Sequence, residues 1–338
     1  MRETAFITGI SGMVGSHLAD FLLQNTDWDV VGLIRWRSPN DNIRHLSSEI
    51  SRDNSRLNLE YGDIREGLAL RRIISKVKPD YVFHLAAQSF PMTSFNSPAD
   101  TYETNIVGTS NLLEAIRGEG FSPKVHVCSS SEVFGRVPAD RVPIKESESF
   151  HPASPYAISK AATDLIGRYY AEAYGMCTLT TRMFTHTGPR RGDVFAESTF
   201  AKQIALAEAG FIAPIVKVGN LDSMRTIADV RDAVRAYFML VTCNPISGEY
   251  YNIGGDYSCT IGQLLEFLIS QSTLSQDLKV EVDPSRLRPI DADLQIPDTF
   301  KFRAHTGWKP EISFEQTMID LLNYWRDRIK IEGQSLVR

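Results

Sequence analysis

The sequence predicts an α/β fold, a Rossmann-type doubly wound parallel sheet with a smaller α/β C-terminal substrate domain, and three observations predict it. Short apolar runs of strand length alternate with runs of helical period through the first half of the chain. A glycine-rich turn, Gly9-Ile-Ser-Gly12-Met-Val-Gly15, separates the first strand pattern from the first helical one. At 338 residues with 43% hydrophobic content, the chain can build one large or two closely packed domains. Strand–helix alternation with short loops places the strands parallel and the helices on both faces.

The elements follow in order. Thr4 to Thr8 is a buried-strand pattern, and Ser16 to Leu23 is helical. Between them Gly9 permits a tight turn, Gly12 lets backbone N–H groups approach a pyrophosphate, and Gly15 lets helix and strand pack closely. Glycine is also the default turn residue, so the turn alone leaves a purely structural reading open. A second strand, Asp29 to Ile34, ends in Arg35-Trp36-Arg37-Ser38, where such a fold presents its ribose-reading residue. Cationic forks there suit the 2′-phosphate of NADP rather than the free hydroxyl of NAD; a solvated basic loop is the other reading. Strands are expected at Leu57 to Tyr61, Tyr81 to Ala86 and Lys124 to Cys128, with helices over 69–77 and 104–117. Asp63 suits either an adenine amino group or a helix N-cap.

The second half is expected to hold strands at Thr178 to Met183 and Ile215 to Val218. Helices are expected over 198–209, 230–240, 261–270 and 314–328. No linker rich in Ser, Gly or Pro divides the halves, so residues 1–177 and 178–338 should pack as one body with a ligand in the cleft and some late chain returning to the first domain. Trp308 reads as a packing anchor and His84, inside an apolar run, as a core residue.

Composition excludes several functions. Lys and Arg number 36 against 41 Asp and Glu, a net charge of −5 with both signs dispersed, so a broad nucleic-acid-binding face is not expected. The four cysteines form no CxxC pair, which argues against a zinc site or disulfide framework and for a reducing cytoplasm. No apolar run approaches the ~20 residues of a membrane span, polar residues interrupt the first fifteen residues as a leader, and the histidines show no metal-ligand spacing.

The chemistry concentrates after the strand ending at Cys128. Ser129-Ser130-Ser131-Glu132 follows it, and Tyr156 and Lys160 lie four apart on a later helix, on one face. A phenol is a poor base at neutral pH, and a nearby ammonium lowers its pKa by stabilising phenolate; Ser130 can hydrogen-bond the same reacting oxygen. Glu132 can act as a second base, or pair with Arg136, or cap the next turn.

Gly9 to Gly15, Leu85-Ala-Ala-Gln-Ser89, Asn105, the serine run and Tyr156 with Lys160 resemble the extended short-chain dehydrogenase/reductase superfamily, over about residues 3 to 328. More narrowly, they resemble its nucleotide-sugar branch, which contains GDP-mannose 4,6-dehydratase and GDP-4-keto-6-deoxymannose reductase. The resemblance implies NADP bound by Gly9, Ser11, Gly12, Met13, Val14, Gly15, Arg35, Arg37, Asp63, Ile64, Leu85, Ala86, Ala87, Tyr156 and Lys160. It implies a nucleotide sugar, GDP-mannose or a GDP-heptose, against Ser89, Thr185, His186, Arg191, Lys202, Asn220, Arg225 and Arg288, and catalysis by Ser130, Glu132, Tyr156 and Lys160 without a metal. A homodimer or homotetramer is implied, with the Arg35 to Leu46 loop as the place to look for a tetramer.

Ser129 to Gly135, Ser154 to Lys160 and Gly188 to Gly192 are similar to the dehydratase. Phe200 to Ile204, Gly219 to Asp222, Asp229 to Asp232 and Leu287 to Pro289 are nearer the reductase or shared with it. Thr185-His186-Thr187 departs from the dehydratase's Asn-His-Glu, exchanging an amide for a hydroxyl. The resemblance implies 4,6-dehydration, with the reductase, an epimerase or 4-dehydrogenase, and a non-catalytic NADP-binding scaffold as alternatives.

Overall fold

The computed structural model describes residues 2–50, 55–287 and 293–337. The first half runs β1 (Thr4–Thr8), α1 (Met13–Asn25), β2 (Asp29–Ile34), the single turn α2 (Ser47–Ile50), β3 (Leu57–Tyr61), α3 (Gly67–Val77) and β4 (Tyr81–His84). The short α4 (Pro91–Asn96) and α5 (Pro98–Tyr102) follow, then α6 (Gly108–Arg117), β5 (Lys124–Cys128), α7 (Pro155–Tyr174) and β6 (Thr178–Met183). A π-helical turn at Glu103–Val107 leads into α6, so the helix expected over 104–117 is irregular in its first turn. The second half runs β7 (His186–Thr187), α8 (Ala196–Glu208), β8 (Ile215–Val218), β9 (Met224–Asp229), α9 (Val230–Thr242), β10 (Tyr250–Ile253) and β11 (Tyr257–Thr260). It ends with α10 (Ile261–Ser270), β12 (Lys279–Val282), β13 (Leu294–Gln295), α11 (Phe300–Thr306) and α12 (Phe314–Glu332).

Seven strands form one parallel sheet in the order β10-β6-β5-β4-β1-β2-β3. Strand order reverses beside β1, and in such sheets the crevice at the strands' carboxyl ends is where ligands bind. Both faces are covered, which is why β4 and β6 are buried at every residue. The core on one face carries α1 and α9 together with Trp28, Tyr237 and Trp308; the other carries α3 and α6. Thus β6, α9 and β10, all later than residue 177, belong to the large sheet's unit.

The smaller unit has its own core. Helices α8, α10 and α12 pack over β8 and β9 around Phe200, Leu264, Met318, Leu321 and Trp325. β9 pairs antiparallel with β11 and parallel with β13 and β7, which brings Thr185 to Thr187 out of the large sheet toward the smaller one. No helix among the described residues is long and apolar enough to cross a membrane.

Candidate active site

A cleft of about 980 Å³ opens at the carboxyl ends of β1, β2, β4, β5 and β6 and extends between the two units. Its floor is the glycine turn. Gly9 has φ +75°, and a Cβ there would lie 2.8 Å from the Ala86 nitrogen; at Gly15 a Cβ would lie 2.3 Å from the Gly9 carbonyl oxygen. Gly12 caps α1 with no side chain between the helix's first N–H groups and the cleft. Backbone donors at a helix N-terminus facing open space form a cradle that accepts a pyrophosphate. Ser11, Met13, Val14, Ile64, Leu85, Ala86 and Ala87 line the same region, so the cradle fits a dinucleotide.

Basic and acidic groups flank it. Arg35 and Ser38 line the cleft; Arg35 and Arg37 are both exposed, and Arg37 is not among the lining residues. Of the two expected guanidinium forks, Arg35 is the one that lines the cleft. Asp63 also lines it, but its carboxylate accepts from the Arg65 backbone N–H at 2.9 Å and from the Arg65 guanidinium at 2.9 Å. Partial burial opposes ionisation there, and the Arg65 hydrogen bonds outweigh it, holding the carboxyl below its ordinary value. Asn42 donates to the Ser11 carbonyl at 3.1 Å, tying the segment after β2 to the glycine turn.

The opposite wall is held by Thr8, His84, Asn105 and Thr109, which do not themselves line the cleft. The Thr8 hydroxyl accepts from the Leu85 and Ala86 N–H groups, and His84 lies between Thr8 and Thr109 at 2.9 Å from each. Burial pushes His84 down to about 3, a neutral core residue as expected. Asn105, on the π-helical turn, accepts from the Gln88 N–H at 2.8 Å and donates to the Gln88 carbonyl and the Ser159 hydroxyl. One amide thereby locks the Leu85–Ser89 loop to α7.

Ser130, Glu132, Tyr156 and Lys160 converge in the cleft. Ser154 caps α7 by accepting from the Ala157 N–H at 3.0 Å, which fixes the helix start that carries Tyr156. Ser130 accepts from the Glu132 N–H at 3.2 Å, and its hydroxyl lies near enough to Tyr156 to favour the phenolate. Arg136 pairs with Asp293. The phenol–ammonium relation differs from expectation. Lys160 Nζ donates to the Cys128 carbonyl at 2.7 Å, and burial pushes the Tyr156 phenol up, with the Ser130 hydroxyl opposing. Burial also lowers Lys160, so in this cleft burial works against both the phenolate and the ammonium.

Ser89, Thr185, His186 and Arg191, the residues expected to meet a sugar, line the same cleft. His186 Nδ1 contacts the Phe184 carbonyl at 3.1 Å; burial, then the charge of Arg191, pushes it down to about 4, so the ring is neutral at pH 7. Arg191 stacks on Phe195 at 3.4 Å and pairs with Glu197 at 3.1 Å. Lys202 lies in a second cavity of about 450 Å³, with Gln203, Lys217, Arg286 and Ile212, and donates to Asp193 at 2.7 Å. Asp193 and Leu336 line both spaces, so the two adjoin. Asn220 donates to Ser223 at 3.0 Å and Arg225 to the Met224 carbonyl at 2.9 Å; neither lines either cavity. Arg288 lies outside the described residues.

Sequence reasoning missed Tyr324, Trp325 and Arg328 of α12 and Leu336 just beyond it, all of which line the large cleft. Their pattern is that of any amphipathic helix, and nothing local marks them. No group of three or more His, Cys, Asp or Glu among the described residues is arranged to hold a metal.

The comparisons with known proteins agree with this architecture. Residues 6–321 match the GDP-mannose 4,6 dehydratase family model. The chain is 31% identical to the GDP-6-deoxy-D-mannose reductase of Pseudomonas aeruginosa over 333 residues, 98% of this chain and 100% of that one. It is 34% identical to GDP-mannose 4,6 dehydratase 1 of Arabidopsis thaliana over 324 residues, 93% of this chain and 87% of that one. Among solved structures, the P. aeruginosa protein RMD complexed with NADPH superposes with a TM-score of 0.79 at 31% identity, covering 96% of this chain and 100% of that one. A UDP-glucose 4-epimerase of Thermotoga maritima with UDP-glucose superposes at 0.82 with 27% identity, covering 96% and 99%. Match length, shared fold and the converging serine, tyrosine and lysine lead to one conclusion: the chain belongs to the GDP-mannose 4,6-dehydratase family of short-chain dehydrogenase/reductase-type enzymes.

Proposed function

We propose that the protein is an NADP-dependent lyase that converts GDP-mannose, or a GDP-heptose with the same leaving group at carbon 6, into its 4-keto-6-deoxy product. The observation that carries this reading is the Glu132 carboxylate in the same cleft as Ser130, Tyr156 and Lys160. When bound, NADP supplies the hydride acceptor that opens the cycle and the donor that closes it. Tyr156, as the phenolate that the positive charge of NADP⁺ and Lys160 would favour over the phenol, takes the carbon 4 hydroxyl proton while Ser130 hydrogen-bonds the same oxygen. The resulting ketone acidifies the carbon 5 proton, which Glu132 removes. Protonated Glu132 then gives its proton to the departing carbon 6 hydroxyl, so water leaves and the carboxylate is restored; closing the cycle adds one proton at carbon 5, which balances the one Tyr156 removed from the carbon 4 hydroxyl. Lys160 orients the cofactor and the phenol, and neutral His186 offers an acceptor to a sugar hydroxyl.

Nucleotide binding rests on Lys202, Arg191 and the second cavity, with Arg35 for the 2′-phosphate. A reductase is the second reading, favoured by the full-length similarity to the P. aeruginosa enzyme and by Thr185-His186-Thr187. The assay separates the two. Incubation with NADP⁺ and GDP-mannose should yield a keto-sugar 18 Da lighter by mass spectrometry, with no net cofactor change. Net NADPH consumption with a 4-keto-6-deoxy sugar, and no dehydration, would establish the reductase in its place.

The assembly is proposed as a homodimer through the outer face of α7, where Ile158, Leu165 and Tyr169 are exposed, with the segment from Arg35 to Leu46 available for a tetramer. Four free cysteines are consistent with a cytoplasmic setting.

A further inference from the structure

The face that α12 turns to the cleft has a charge arrangement that the reading above does not use. The Trp325 indole donates to Ser198 on α8 at 2.9 Å, which fixes the ring. Two cations lie over it, the Arg328 guanidinium carbon at 5.2 Å from the ring centroid and the Lys202 ammonium at 5.6 Å. Each is neutralised internally. Glu332 grips Arg328 with both oxygens, at 2.8 and 2.7 Å, with Asp41 a second carboxylate at 4.0 Å, and Asp193 holds Lys202 at 2.7 Å. The Arg328 hydrogen bonds chiefly hold the Glu332 carboxyl below its ordinary value, against partial burial, and the charges of Arg328, Arg44 and Lys202 add to the effect.

These carboxylates sit at the ends of elements. Glu332 is the last residue of α12, before Gly333 at φ +58°, and Asp193 precedes α8 with its side chain 45% exposed. The cations lie over a ring held by a hydrogen bond, and their partners are at the end of α12 and in the loop before α8. A guanidinium fork and an ammonium fit the spread charge of a diphosphate, which carries more charge than either carboxylate alone. The position also selects which phosphates. Arg328 lines the large cleft and Lys202 the adjoining cavity, so a group contacting both lies at their junction, beside Asp193 and Leu336.

We propose that Arg328, together with Lys202 across Trp325, binds the diphosphate of the nucleotide sugar, and that Glu332 and Asp193 are internal counter-anions released when it arrives. The inference rests on the nucleotide-sugar reading and assigns a binding residue and a competing carboxylate to that site.

Calorimetric titration of the full chain with GDP, in the presence of NADPH, tests it. Arg328→Gln should weaken GDP binding about ten- to a hundredfold, the worth of a charge-assisted contact. Glu332→Gln should tighten it about two- to fivefold by freeing the guanidinium. If Glu332 served only to hold α12 in place, Glu332→Gln would weaken GDP binding, and that result overturns the proposal. So does an unchanged GDP affinity in Arg328→Gln, or a loss confined to NADPH affinity, which would assign Arg328 to the cofactor. Should Arg328→Gln fail to fold, Arg328→Lys keeps the charge without the fork and should still lose about threefold or more. Wild-type protein that binds none of GDP, UDP and dTDP would refute the nucleotide-sugar reading itself, whereas GDP binding with an unaffected Arg328 variant refutes only this inference.

Discussion

The two ends of the cleft are made of different materials. At the glycine turn the site consists of backbone N–H groups and missing side chains, with Gly9, Gly12 and Gly15 leaving the space. Between α8 and α12 it consists of long cations, each already occupied by a carboxylate: Arg191 by Glu197, Lys202 by Asp193, Arg328 by Glu332. The first end is preorganised and intolerant of change, because a new Cβ there meets backbone. The second is adjustable, because side-chain pairs exchange one anion for another.

The strongest challenge to that contrast is Gly15→Val. A Cβ at 2.3 Å from a carbonyl oxygen cannot be absorbed by a rotamer change, so loss of NADPH binding and of soluble folded protein is expected. A folded variant with normal NADPH fluorescence would remove the rigid-cradle argument. Next come the reacting groups. Glu132→Gln should cut keto-sugar formation about 10²- to 10⁴-fold while carbon 4 oxidation persists, and Tyr156→Phe should impair that oxidation by a similar factor. Stopped-flow absorbance at the reduced-cofactor band distinguishes them, and equal loss of the first step in both would merge their roles.

Stability against pH probes the rigid end differently. Burial pushes His17 down to about 4 and His84 and His126 to about 3, below the ordinary value near 6.5. The unfolded chain therefore binds more protons below pH 6.5, and stability present above that pH is lost as pH falls toward 4. At pH 5.5 the loss is about 1.4 kcal/mol per histidine, or ~4 kcal/mol for the three. Thermal melts from pH 7.5 to 5 should show the decline, and a flat profile would mean these rings are charged in the fold. The smallest effect separates Arg35 from Arg37. Arg35→Ala should lower NADPH affinity about tenfold and leave NADH affinity alone, while Arg37→Ala should change neither. Equal effects would show that Arg37 also reaches the phosphate.

The parallel sheet, the glycine turn and the positions of Ser130, Glu132, Tyr156 and Lys160 were legible because each depends on near neighbours in the chain. A turn needs its glycines at fixed offsets, a strand end delivers the residues that follow it, and a helix puts positions four apart on one face. Even that Arg35 lines the cleft and Arg37 does not depends only on which way one short loop turns. The remainder depends on distant chain. Whether Lys160 meets a phenol or a carbonyl follows from how deeply α7 is buried against β5. That β10 closes the large sheet, that Asn105 locks Gln88, and that Trp325 and Arg328 turn a packing helix into a wall of the cleft are contacts across many residues. Local pattern decides which elements form and which side chains they can offer. Packing of the two cores decides which of those side chains face the same space, and therefore which charges a ligand must displace.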